Sequence, residues 1–226
     1  LAAWVADGLA PTSALNLPGI RALAARSGSS RAVTLARQLV AEHGVAARLW
    51  VDDLAAFSRL CPAADVTAAS QWQAGVEVCH WTSDWRQTEV ADVVIEAFAC
   101  ELPAPYLAAM QQQASKPLWL NLEYLSAEDW VGGCHGLPSL QSSGLRKFFF
   151  FPGFRTDTGG LLREQDLLQR RETFVQDAAA PTTFLHALGV QPLPGELLYS
   201  LFTYECASLS GWLQLLAEGS QPVLLL

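Results

Sequence analysis

Carboxylates near expected strand ends are the residues of this 226-residue sequence best suited to acid–base chemistry: Asp52, Asp53, Glu96, Glu101 and Glu123. Glu123 stands out. It follows the apolar run Pro117–Leu122 and sits beside Asn121 and Tyr124 among aromatics, where burial would raise its pKa. Asp52 and Asp53 fit a helix cap better, and Glu101, before Leu102 and Pro103, fits a solvated loop. Of the histidines, His43 precedes Gly44, where a cation complements the end of a helix. His80 and His186 read as structural or exposed, and His135 lies in the long irregular stretch Leu118–Glu164. Trp130, Phe148–Phe151 and Phe154 in that stretch serve as a site wall or simply as core.

Other chemistries find less support. Cys61, Cys79, Cys100, Cys134 and Cys206 lie far apart, odd in number and without a Cys-x-x-Cys pair, so neither a disulfide framework nor a metal site is expected. Cys79-His80 and Cys134-His135 are adjacent pairs whose side chains diverge. No P-loop or Gly-x-Gly-x-x-Gly occurs, and Gly159-Gly160 alone is a weak phosphate signal. A net charge of −8 argues against nucleic acid or an anionic membrane as partner and suits a basic one. No apolar run reaches the ~18 residues of a membrane span, and Leu1–Ala10 lacks the form of a signal peptide. A cytoplasmic location is expected.

The elements that must position these residues alternate. Val33, Leu35, Leu39 and Val40 share a helical face that Gly44 terminates. Residues 47–51 predict a strand, 54–60 a helix, and 76–81 and 91–98 two more strands. The last is apolar enough to be buried on both faces. Pro103 opens a helix to about Gln113, residues 117–122 form a strand, and Ser126–Trp130 begins like a capping box. The aromatic run Lys147–Phe151 follows, and a polar helix is expected over 161–176. Beyond the linker-like Asp177–Pro181, a helix (182–188), a strand (196–204), a helix (209–218) and a strand (222–226) are expected. Ser200, Phe202 and Tyr204 alternate along that strand end, so they share a face that stacks a base or packs on a helix. No β-branched run announces an opening strand within 1–33. The pattern predicts an α/β chain of two Rossmann-like domains with a cleft between them, the second incomplete and the first lacking its usual opening strand. Residues 1–32 read as an atypical N-terminal segment, 33–180 as the first domain and 181–226 as the start of a truncated second.

Several long phrases resemble one family. They are Leu35-Ala-Arg-Gln-Leu39, Leu49-Trp-Val-Asp-Asp53, Asp92-Val-Val-Ile-Glu-Ala-Phe-Ala-Cys-Glu-Leu102, Asn121-Leu-Glu-Tyr-Leu-Ser-Ala-Glu128, Cys134-His-Gly-Leu-Pro138, Phe149-Phe-Phe-Pro-Gly-Phe154, Thr158-Gly-Gly-Leu-Leu-Arg-Glu164 and Ser200-Leu-Phe202. Together they resemble the bacterial protein-arginine rhamnosyltransferases of the EarP family, from about Val33 to Leu226. The resemblance implies a GT-B fold whose first domain receives the acceptor, elongation factor P, and whose second holds the donor substrate dTDP-β-L-rhamnose. It implies inverting transfer of L-rhamnose to an arginine, with no metal and no cofactor. A guanidinium is a poor nucleophile, so carboxylates must orient it and take its proton.

On that resemblance Phe202 and Tyr204 are expected to bind the donor nucleotide, and Asn121, Glu123 and Tyr124 to line the acceptor side. No catalytic residue carries over. The family's Asp-Asn-Tyr-Gly-Asp loop corresponds to Leu17–Arg31, which reads LPGIRALAARSGSSR and holds no carboxylate. Its Arg-Gly-Glu-Asp-Ser cluster corresponds to no part of this sequence. The chain is therefore expected to be inactive as written, with residues 1–32 a displaced or frameshifted start. The alternatives are a non-catalytic module that binds elongation factor P, or a GT-B transferase for another acceptor.

Overall fold

The computed structural model describes residues 22–25, 30–83, 89–203 and 206–226, which fall into two units, Leu1–Gln165 and Asp166–Leu226. In chain order the first contains β1 (Ala22–Ala25), α1 (Ser30–His43), β2 (Arg48–Val51), α2 (Leu54–Leu60), β3 (Ser70–Gln73), β4 (Val76–His80) and β5 (Val93–Ala97). It continues with α3 (Ala104–Gln112), β6 (Leu118–Leu122), α4 (Val131–Cys134), β7 (Pro138–Leu140) and β8 (Arg146–Phe150). The expected boundary at 180/181 lies inside the second unit.

One sheet organises the first unit, in the order β3-β4-β2-β1-β5-β6-β8-β7. The six inner strands run parallel, while β3 and β7 pair antiparallel at the two edges. Every residue of β5 is buried, as its apolar run requires of a strand covered on both sides. Alternation along it divides the core. Val93, Ile95 and Ala97 join Leu35 and Leu39 of α1 and Phe57 of α2. Val94 on the opposite face joins Tyr106 and Met110 of α3 and Trp119 of β6. The result is a sheet with helices packed on each face, the mixed α/β class expected.

An opening strand is present, which corrects the expectation that the first domain lacks one. β1 lies between β2 and β5 and pairs with both. Its Ala-Leu-Ala-Ala sequence carries little strand propensity, but a central strand is held by backbone ladders on two sides, and context outweighs propensity there. The loop expected to be missing falls in the window Leu17–Arg31, of which residues 17–21 and 26–29 lie outside those described.

Other elements differ from expectation for local reasons. β3 and β4 form a hairpin through Ala74 and Gly75, both at positive φ (49° and 78°), the geometry of a tight two-residue hairpin turn. No Asn-Gly or Asp-Gly pair advertises it. Ser126 does not start a helix: its N–H donates to Pro152 O (3.1 Å), it bridges Gly153, and the only helical turn nearby begins at Val131. The helix expected from Leu161 begins at Leu167, because residues 160–165 run along α1 instead. There Gln38 Nε2 donates to Arg163 O (2.6 Å) and Gln165 N–H to Glu42 Oε1 (3.0 Å).

The second unit contains α5 (Leu167–Gln176), α6 (Ala180–Ala187), β9 (Leu197–Tyr199), α7 (Leu209–Glu218) and β10 (Val223–Leu225). β9 and β10 pair in parallel. None of its described residues is buried. Among the described residues no helix is long and apolar enough to cross a membrane.

Candidate functional site

Strands β5 and β6 end side by side. Their pairing runs one step past β5, where Phe98 N–H donates to Leu122 O (2.8 Å). Beyond that bond the chain turns through Phe98, Ala99 and Glu101, all at positive φ (58°, 52° and 51°). Three non-glycine residues in the left-handed region are strained, and such a loop persists only where its surroundings fix it. Two buried side chains do so. Asn121 Oδ1 accepts the Ala99 N–H (3.0 Å), and Glu96 Oε1 accepts the Leu102 N–H (2.9 Å).

Glu96 is 1% exposed and also pairs through Oε2 with Lys147 Nζ of β8 (2.8 Å). The ammonium lies 4.9 Å from the centre of the Trp119 ring. A carboxylate out of water needs a cation and hydrogen bonds together, and Glu96 has both. Its role is to hold the strained loop.

Above the strand ends opens a cleft of about 320 Å³. The start of α1 contributes Ser30, Arg31, Thr34 and Gln38; the strand ends contribute Phe98, Leu122 and Glu123; the return segment contributes Leu161, Leu162 and Glu164. This is where ligands collect in open α/β sheets. Glu123 is fixed twice, its N–H donating to Phe150 O (2.9 Å) and its Oε1 accepting from Asn121 Nδ2 (2.5 Å). Beside it Tyr124 is exposed and stacks on Phe98, ring centres 4.1 Å apart and planes inclined by 22°. The Arg31 guanidinium lies over the Tyr124 ring, 6.0 Å from its centre.

The aromatic run Phe148–Phe151 does not line the cleft; it belongs to β8 and the turn beyond it. His135 Nδ1 accepts the Phe151 N–H (3.1 Å), and burial lowers the pKa of this imidazole, so the neutral ring is the accepting form. Gly159 sits against the Phe150 ring, which no side chain at 159 would allow. Arg155 ties Asp129 and Asp157 together at the surface. Its proton is held more firmly than usual by those carboxylates, Asp157 first.

Of Asn121, Glu123 and Tyr124, Glu123 lines the cleft, while Asn121 is buried and holds Glu123, and Tyr124 is exposed outside the lining. Asp53 caps α2, its Oδ1 accepting the Ala56 N–H (2.8 Å). Glu101 is exposed, His43 ends α1, and His186 is exposed on α6. Phe202, 94% exposed, belongs to the second unit, and Tyr204 lies outside the described residues. Phe98, Arg31 and Glu164 escape a sequence reading centred on carboxylates after strands. Phe98 carried the better signal, since it directly follows the most apolar strand. Among the described residues no three His, Cys, Asp or Glu side chains stand together to hold a metal.

The family model described as Elongation-Factor P (EF-P) rhamnosyltransferase EarP matches residues 32–226. A protein-arginine rhamnosyltransferase of Pseudomonas putida is 64% identical over 192 residues, 85% of this chain and 51% of the relative. One of Pseudomonas aeruginosa is 57% identical over the same shares. One of Shewanella oneidensis is 46% identical over 182 residues, 77% of this chain and 46% of the relative. The chain therefore spans about half the length of the curated relatives it matches. A solved structure described as "Structural basis for EarP-mediated arginine glycosylation of translation elongation factor EF-P" is 34% identical, with a TM-score of 0.48 over 92% of this chain and 49% of that one.

Proposed function

The chain belongs to the EarP family, and from that premise we propose that it is the acceptor-side half of an inverting GT-B rhamnosyltransferase, which moves L-rhamnose from dTDP-β-L-rhamnose to an arginine of elongation factor P. The family match across residues 32–226 carries this reading. The cleft suits the acceptor half of the task. Glu123, oriented by Asn121, offers a carboxylate to a guanidinium, whose charge and planar donors favour such a partner. Phe202, exposed in the second unit, is the donor-side candidate, together with Tyr204. The reaction as proposed uses no metal and no cofactor, only the nucleotide sugar.

As written, the chain recognises the acceptor without transferring sugar. The window Leu17–Arg31 contains no carboxylate, so it supplies no base to the substrate arginine. The test is to incubate the 226-residue chain with dTDP-β-L-rhamnose and elongation factor P, weigh the acceptor by mass spectrometry, and measure binding by calorimetry. Binding with no change in mass is expected. A gain of one deoxyhexose would overturn the inactive reading, and a chain that does not bind elongation factor P would overturn the acceptor assignment.

A further inference from the structure

One side of α1 serves two purposes. Arg31, Thr34 and Gln38 line the cleft, and Glu42 stands further along the same row, since residues three and four apart stack along one side of a helix. The far end of that row grips a neighbouring segment. Gln38 Nε2 donates to Arg163 O (2.6 Å), and Glu42 Oε1 accepts the Gln165 N–H (3.0 Å). The gripped segment is itself a wall of the cleft, because Leu161, Leu162 and Glu164 line the opening. Exposure alternates along it: Leu162 and Glu164 are half-buried, while Leu161, Arg163 and Gln165 are exposed, the pattern of an extended chain with one side turned inward.

The segment is held differently along its length. Before it, Gly159 N–H donates to Phe151 O (2.8 Å) and Gly153 N–H to Gly160 O (3.1 Å), with Gly159 seated against the Phe150 ring. Gly160 itself stands at φ 69° with open space around its Cα, a setting in which the backbone can turn. Past that point the grips from Gln38 and Glu42 come from side chains at exposed positions. Water replaces bonds of that kind at little cost, and fixing an extended segment costs backbone entropy. Leu162, packed against the core, opposes release. We propose that residues 161–165 form a hinged strap, pivoting at Gly160 and latched to α1 by Gln38 and Glu42, whose release widens the cleft. Latch and cleft share Gln38, so a molecule entering the cleft meets the residue that holds its wall in place. The strap operates whatever the cleft binds.

Hydrogen exchange of the whole chain, followed by NMR, tests the strap. The Gln165 amide, which donates to Glu42, should exchange through a local opening, faster than the amides of β5. Gln38→Ala and Glu42→Ala should each speed exchange across 161–165 about threefold to tenfold and leave β5 unchanged. Glu42→Gln, which keeps a carbonyl acceptor, should behave as the wild type. Access to the cleft is read separately by maleimide labelling of Thr34→Cys, a position that lines it, with peptide mass mapping to separate the new thiol from the native cysteines. Adding Gln38→Ala should raise that labelling rate by a similar factor. Exchange at 161–165 as slow as in β5, exchange that neither alanine variant alters, exchange that rises equally in β5, or labelling at position 34 indifferent to Gln38→Ala overturns the proposal.

Discussion

Asn121 joins the two strand ends that border the cleft, its Oδ1 accepting the Ala99 N–H beyond β5 and its Nδ2 donating to Glu123 beyond β6. The amide is 1% exposed, so neither bond can be replaced easily by water.

Asn121→Ala should therefore cost more than the loss of two ordinary hydrogen bonds. It strands a backbone donor in a strained loop and releases Glu123, with an expected cost of about 1–3 kcal/mol in urea unfolding. Asn121→Asp keeps the acceptor for Ala99 but sets a second carboxylate against Glu123. Its deficit should exceed that of Asn121→Ala in the same urea titration. A deficit no larger than that of Asn121→Ala would show that the two carboxylates do not meet.

The Glu96–Lys147 pair should be strongly non-additive. Lys147→Met leaves a buried carboxylate without its cation and should destabilise by about 3–5 kcal/mol. Adding Glu96→Gln to that variant should recover much of the loss, because glutamine still accepts the Leu102 N–H without carrying charge. A double-mutant cycle by chemical denaturation reads this coupling, and simple additivity would rule it out.

His135 should make stability depend on pH in a defined direction. Burial lowers its folded pKa below the ordinary 6.5, so the unfolded chain takes up the proton first. The contribution is complete above about pH 6.5, is lost as the pH falls from there towards the folded pKa, and is constant below it. His135→Asn offers a carbonyl to the Phe151 N–H and does not titrate. The slope of the urea midpoint against pH should flatten in this variant.

Gly159→Ala should be among the costliest small substitutions in the chain. Its Cβ would enter the ring of Phe150, a fully buried residue that cannot retreat, at a cost of about 1–3 kcal/mol. Gly133→Ala, in α4 with nothing within 4 Å of the added carbon, is the control and should be neutral or slightly stabilising. Thermal melts of the two variants distinguish a packing limit from a general sensitivity of this stretch.

Much of the frame was readable because short-range pattern and long-range packing agree in it. The apolar face of α1, the unbroken run of β5 and the Asp53 cap each state locally what the fold requires. Glu123 was readable as a strand-end carboxylate, since it directly follows the apolar run that forms β6. The rest depends on distant partners. Glu96 looks like a free strand-end carboxylate until Lys147, 51 residues away, is placed beside it. Phe98 becomes part of a site only when the strained loop turns its ring under Tyr124. The edge strands β3 and β7 carry no strong local signal and exist because neighbours offer them a ladder.

The position of β1 bears on how the first unit comes together. Strands β3, β4 and β2 lie on one side of Ala22–Ala25 and β5, β6, β8 and β7 on the other, so among the described strands these four residues connect the two sets by backbone pairing. The set from β5 onward and the set around β2 each include local pairs that form over short chain distances. Their union waits on this short segment. Cooperativity of the whole sheet is then carried by backbone pairing at β1, and a proline at Leu23, unable to donate to the ladder, would split one unfolding transition into two.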